Sequence, residues 1–268
     1  NALNASKVYN LDDLINVQNY QTKQTICKGC ENQCLISTYK FNNNNIFHSG
    51  NKCEKIFSSK IDKKQGDNIY TYKFKRVFEK SILASPTFTI GIPRVLNMFE
   101  EFPFWRTLFE KCNIEVELSD VSSYSSYEKS LNQIMSENIC FPAKLSHSHI
   151  DNLINKGIKH IFFPYVVYES KEDKDANNGY NCPIVSSYNV VIKHLKENPK
   201  YKDIVIDNPV FSFKDIDLLK KNCKEYLLSL NVEEKVIDKA FSAALFAKKD
   251  YERDIKEKNI EYYNKAKK

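Results

Sequence analysis

Three cysteines crowd into one short run, Cys27, Cys30 and Cys34, and a fourth, Cys53, follows after 18 intervening residues. Thiolates gathered from so short a stretch can enclose a tetrahedral Zn²⁺ or cluster iron, since both bind deprotonated sulfur. The spacing C-x2-C-x3-C-x18-C differs from the paired C-x2-C…C-x2-C of a zinc ribbon, so it asks for a metal without naming one. The opposing reading is two disulfides in an exported protein, or thiols that are close by chance. No apolar run with a cleavage site and no bilayer-length segment accompanies them, which favours a reduced, cytoplasmic setting without a membrane partner.

Two further cysteines fall at junctions where strands end and helices begin. Cys140 directly precedes the helix that Pro142 starts, and Cys182, before Pro183, lies in a loop after the strand ending at Pro164. A thiol at a helix start faces free backbone N–H groups and the positive end of the dipole, which favours a ligating thiolate. Taken alone, each reads more readily as a buried structural cysteine than as a ligand; their matched settings bring the two readings level. Cys112 and Cys223 fall in helical patterns and read as packing residues. His147 and His149 are two apart, so on a helix they point to different sides and cannot both bind one metal; one is expected at the site and the other in solvent. Arg94, just past an apolar run, and Lys144, in the turn after Cys140, are candidates for contacting an anionic ligand, with solvated surface charge as the alternative. Neither G-x-G-x-x-G nor G-x-x-x-x-G-K-[ST] occurs, so dinucleotide and P-loop nucleotide binding have no support.

The elements that must position these residues follow from composition and pattern. With 268 residues, 42% hydrophobic and 28% charged, the chain is globular and large enough for one full core plus an appendage. Its net charge of +6 is spread along the chain, and the Lys-rich end alternates with Asp and Glu as a solvated helix face does, so no nucleic-acid partner is expected. Residues 1–24 read as tail or linker, and 25–60 as a cysteine-rich metal module. In that module the Asn42–Asn45 turn joins two strands, Leu35 to Phe41 and Ile46 to His48. Residues 61–87 read as a connector with a short strand at Ile69–Tyr72. From 88 to 212 strands at Phe88–Pro93, Ile114–Leu118, Lys159–Pro164 and Ile204–Ile206 alternate with helices. One helix is opened by Pro103, and another runs from Pro142 to Lys156 and is closed by Gly157. That alternation predicts an α/β fold, a mainly parallel sheet with helices on both faces. Residues 213–268 read as a helical C-terminal segment.

Several phrases taken as a set resemble one family. They are Ile90–Arg94, Phe102–Trp105, Ser136–Lys144, His147–Ile150, Ile161–Pro164, Tyr180–Val185 and Ser49–Glu54. Their order is similar to the middle region of the large activase/dehydratase-like proteins of anaerobes, relatives of the activators of 2-hydroxyacyl-CoA dehydratases. That region is known as a domain of unknown function within a CoA enzyme activase, and the resemblance covers about residues 25–265. It implies a dehydratase-like α/β domain at 88–212 that takes part in low-potential electron transfer. An iron–sulfur cluster of the 4Fe–4S type would be held with Cys140 and Cys182 as ligands, near Arg94, Lys144 and His147. Cys27, Cys30, Cys34 and Cys53 would form a separate metal site. The implied partners are an ATPase activator domain and a further dehydratase-like domain of a longer polypeptide. Two departures stand: such a cluster generally takes three cysteines from a subunit and a third is not evident, and the ATPase's glycine-rich motifs are absent. The chain is therefore expected to be a non-catalytic part of an ATP-dependent enzyme. The competing reading is a structural zinc module on a scaffold or interaction domain.

Overall fold

The computed structural model describes residues 20–28, 32–42, 44–51, 67–134, 136, 138–171, 173, 175, 177–193 and 201–267. The chain divides into two units, 1–66 and 67–268.

The first unit carries an antiparallel sheet in the order β1 (Tyr20–Ile26), β2 (Leu35–Phe41), β3 (Ile46–Ser49). The two strands expected around the Asn-rich turn are present, with Asn44 at φ 62 inside that turn. The tail reading of 1–24 is corrected at its end, since β1 starts at Tyr20. All seven β1 residues are exposed, so no alternation of burial marks the strand in the sequence. Its Tyr20 ring instead packs on Tyr39 and Phe41 across the pair, with centroids 5.6 and 5.8 Å away.

The second unit opens with α1 (Ile69–Val77), where a strand was expected. The Asn68 carboxamide oxygen accepts the backbone N–H groups of Tyr70 and Thr71, at 2.9 and 3.2 Å, and so caps a helix. Tertiary contacts then outweigh the β propensity of the run. Val77 and Phe78 enter the core, while Arg76 and Tyr72 reach toward the C-terminal helix.

Beyond it lie β4 (Phe88–Ile92), α2 (Met98–Lys111), β5 (Ile114–Leu118), α3 (Tyr124–Lys129), α4 (Phe141–Asn155), β6 (His160–Phe162), β7 (Tyr165–Tyr168), α5 (Pro183–Ser187), α6 (Asn189–Lys193), β8 (Val205–Asp207), β9 (Val210–Ser212), α7 (Ile216–Ser229) and α8 (Glu234–Ala266). Strands β5, β4, β6 and β8 form a parallel sheet in that order, and β7 pairs with β9, also in parallel. The protein is thus mixed α/β with a four-stranded parallel sheet flanked by helices and a helical C-terminal segment, as the alternating pattern implies. Because β5 and β6 lie on opposite sides of β4, right-handed crossovers send α2 and α4 to opposite faces.

The side chains follow suit. Ile90, Ile92, Ile114, Val116 and Phe162 pack with Phe102, Trp105, Leu108 and Phe109 of α2. Ile161, Phe163 and Ile206 pack with Ala143, Ile150 and Leu153 of α4. Pro103 does not open its helix. The turn Val95–Asn97 accepts the N–H groups of Met98, Phe99 and Glu100, so α2 starts five residues earlier and Pro103 lies inside it. Gly157, at φ 82, closes α4, with Ile158 N donating to Leu153 O and Gly157 N to Ile154 O.

Candidate functional site: two cysteines at helix starts

In a parallel α/β sheet the connections beyond the carboxyl ends of the strands carry ligand sites. Helix α4 runs back to β6, so its first turn, with Cys140, lies at that end. Cys140 and Cys182 are the N-cap residues of α4 and α5, with nearly the same backbone: φ −62, ψ 151 and φ −62, ψ 156. Pro183, directly after Cys182, holds that residue extended before its helix, while Pro142 sits within the first turn after Cys140. Both thiols are exposed.

The four cysteines of the second unit divide sharply. Cys112 and Cys223 are buried, and burial pushes the Cys112 thiol up to about 11 and the Cys223 thiol higher still. They are packing residues, as expected, and no thiolate is available there near neutral pH. Of these four, Cys140 and Cys182 alone combine a suitable donor atom with access.

Cys140 lies within electrostatic reach of the Tyr188 hydroxyl, which burial first and then Cys140 push above the usual tyrosine range. Tyr188 is the residue that closes α5, and Cys182 is the residue that opens it. The five-residue helix between them advances only about 9 Å at its standard rise. The same tyrosine hydroxyl lies 2.8 Å from His147 Nε2. His147 thus shares the Tyr188 hydroxyl as a neutral group: burial lowers its pKa to about 4, against the raising effect of Asp151. Its Nδ1 meets no hydrogen-bond partner among the described residues. Lys144 is half-buried in the first turn of α4, its backbone N–H donating to Cys140 O at 3.2 Å.

Arg94 belongs elsewhere. Its guanidinium lies over the rings of Phe78 and Phe74, at 4.8 and 5.6 Å, and its backbone N–H donates to Ser119 Oγ at 2.7 Å. Burial lowers its pKa, while Asp120 and Glu117 raise it. The same Ser119 Oγ lies 2.7 Å from His149 Nδ1, and Ser122 Oγ lies 2.9 Å from His149 Nε2. The two histidines do point to different places, but neither faces solvent, being 0% and 2% exposed. Ser119, Ser122 and Tyr188 were not singled out by sequence reasoning. The one advance signal for Ser119 is its place directly after β5.

In the first unit Cys27 and Cys34 continue the β1–β2 register, with Cys27 N donating to Cys34 O at 2.8 Å. Cys30 and Cys53 lie outside the described residues. Among the described residues no group of three or more His, Cys, Asp or Glu stands together as a metal site. None of their helices is long and apolar enough to cross a membrane.

No curated protein and no solved structure matches the chain. Residues 89–268, which take in the parallel sheet but for Phe88, both helix-capping cysteines and the C-terminal helices, match the model of the CoA enzyme activase uncharacterised domain, and the chain belongs to that family.

Proposed function

We propose that this chain is an iron–sulfur-holding part of a larger CoA enzyme activase-type protein, with Cys140 and Cys182 as cluster ligands. The observation that carries the reading is the pair of accessible helix-capping cysteines with matching backbone, set against two other cysteines that burial removes from chemistry. Family membership supports the setting, and the other partners of the reaction, an ATPase activator domain and a further dehydratase-like domain, belong to the same proposal.

The donors fit such a cluster in kind and fall short in number. Four irons ask for more thiolates than two, and Cys112 and Cys223 cannot serve. The remaining ligands would come from outside the second unit. When bound, the cluster would supply one-electron chemistry at low potential. The chain's own residues present two exposed thiols and set the buried Tyr188–His147 pair beside the first of them.

The test is anaerobic purification and reconstitution with iron and sulfide, followed by iron and acid-labile sulfide analysis and visible spectroscopy. Broad charge-transfer absorption that Cys140→Ser and Cys182→Ser each abolish, while Cys112→Ser leaves it, is the expected result. Protein that stays colourless refutes the reading.

A second reading concerns the first unit. The opposition of Cys27 and Cys34 across the base of a hairpin is how a hairpin loop presents thiolates to one Zn²⁺. One tightly held zinc, lost from Cys27→Ser and Cys34→Ser, would assign that unit a structural metal with no redox part.

A further inference from the structure

At the end of the sheet where β4 and β5 begin, opposite to Cys140, a cleft of about 460 Å³ lies between the end of α2 and the turn that joins α7 to α8. Phe88, Ile114, Leu230, Val232 and Val236 give it an apolar wall. That volume and that lining suit a small organic molecule.

Both helices meet the cleft with their carboxyl ends. Helix α2 closes at Cys112 and turns on Asn113, at φ 60; α7 closes at Leu230 and turns on Asn231, at φ 63. Asparagine takes this left-handed position more readily than other residues with a side chain. Each turn satisfies part of its helix. Cys112 N and Asn113 N donate to Phe109 O and Glu110 O, at 2.9 and 3.0 Å. Asn231 N and Val232 N donate to Leu228 O and Leu227 O, at 3.0 and 3.1 Å. Lys111 O, Cys112 O and Leu230 O accept no backbone N–H among the described residues, and all three residues line the cleft. Unused carbonyls and the negative ends of two helix dipoles thus border one apolar space.

The cleft is built before any ligand arrives. Asn113 O accepts Thr87 N at 2.8 Å, and Asn113 Nδ2 donates to Ser85 O at 3.0 Å and Thr87 Oγ1 at 3.2 Å. These bonds tie the chain entering β4 to the end of α2. The charged side chains of the lining are Lys111 and Glu233, one of each sign, and Glu233 is taken up by Lys235 at 2.6 Å. Side-chain charge therefore nearly cancels, and the backbone sets the preference.

We propose that this cleft binds a small organic cation, an ammonium group on an apolar body. The body lies against Phe88, Ile114 and Val236, and the ammonium meets the carbonyls at the ends of α2 and α7. An anion of the same shape would face those carbonyls with like charge. The site shares no residue with the Cys140–Cys182 reading and stands or falls apart from it.

The experiment titrates the full chain with probes of one shape and different charge, 2-phenylethylamine, 2-phenylethanol and phenylacetate, followed by amide NMR. The amine should give saturable shifts at Thr87, Asn113, Asn231 and Val232. The alcohol should bind about fivefold more weakly, the scale of two helix ends, and phenylacetate more weakly again. Lys111→Gln removes a like charge and should tighten the amine about twofold. Glu233→Gln should keep the order of the probes; loss of the order there would put the preference on one carboxylate and overturn the reading. Val232→Trp, at a half-buried position, should fill the cleft and remove the shifts. If that variant does not fold, Val236→Phe carries the same expectation. Probes that bind alike, shifts confined to other residues, or no shifts from the amine also overturn the site.

Discussion

Gly91 lies against Leu153 with no room for a methyl group between them: a Cβ on Gly91 would stand 3.2 Å from Leu153 Cδ1 and 2.8 Å from Ile158 Cγ2. The central strand β4 thus takes α4 at backbone range, and the position of Cys140 at the head of α4 depends on that approach. Gly91→Ala should lift the helix and cost about 1–3 kcal/mol, the usual effect of overpacking a core. A urea midpoint equal to that of the native sequence would show that α4 can yield without cost.

Thiol reactivity should divide the cysteines of the second unit into two pairs. At pH 8 in the folded protein, Cys140 and Cys182 should react with iodoacetamide at least ~100-fold faster than Cys112 and Cys223, which need an opening of the core as well as a proton loss. Mass spectrometry of the time course reads the order directly. Early labelling at Cys223 would contradict its burial between α7 and the rest of the core.

Acid should destabilise the fold through its buried histidines. The pKa of His147 and of His149 is lowered to about 4, by burial first and, for His149, next by Arg94, with Asp120 opposing. The unfolded value is about 6.5, so the unfolded chain binds the extra protons and stability falls as pH drops from about 6.5 toward 4. The loss approaches roughly 3 kcal/mol per histidine at full protonation. Urea titrations at pH 7 and 4.5 should show it, with a smaller difference in His149→Gln. An unchanged difference in that variant would mean that carboxylates carry the acid response.

If the first unit holds the proposed metal, Gly50 should matter to its retention. It has φ 89, and a Cβ there would collide with Leu35 O, beside Cys34. Gly50→Ala must displace β2 or the turn itself. Zinc or iron per chain, measured after desalting, should fall below that of the native sequence. Equal metal content would separate this turn from the cysteine set.

Part of the second unit is legible in its residues because β4, β6 and β8 run into a proline within two residues and β5 alternates apolar and acidic residues. β4 at Phe88–Ile92, the helix closed by Gly157 and the helix start after Cys140 follow from local chemistry, whereas the short helix after Cys182 falls where a loop was expected. Ile69–Val77 misleads because its aromatic and β-branched residues favour a strand, while Asn68 and the contacts of Arg76 with Asp250 and Asp254 favour a helix. β7 is hidden behind Pro164, which ends β6 and leaves no visible restart. Of the candidate site residues, His147 and Lys144 fall near Cys140 because α4 carries all three. Arg94 does not, since it comes from a different strand end and turns toward the rings of α1 and the loop after it.

Helix α8 returns the chain to where the second unit begins. Arg76 and Tyr72 of α1 hold Asp250 and Asp254, and near the far end of α8 Lys265 Nζ lies 3.0 Å from Asp67 Oδ2. The two ends of this unit therefore stand side by side, joined by an ion pair. A domain built so can be spliced into a longer polypeptide at almost any surface loop, because the host chain is interrupted without being pulled apart. It also tolerates being cut and rejoined: a short linker from residue 267 back to 67 would close the backbone into a ring, leaving new ends free to be opened elsewhere.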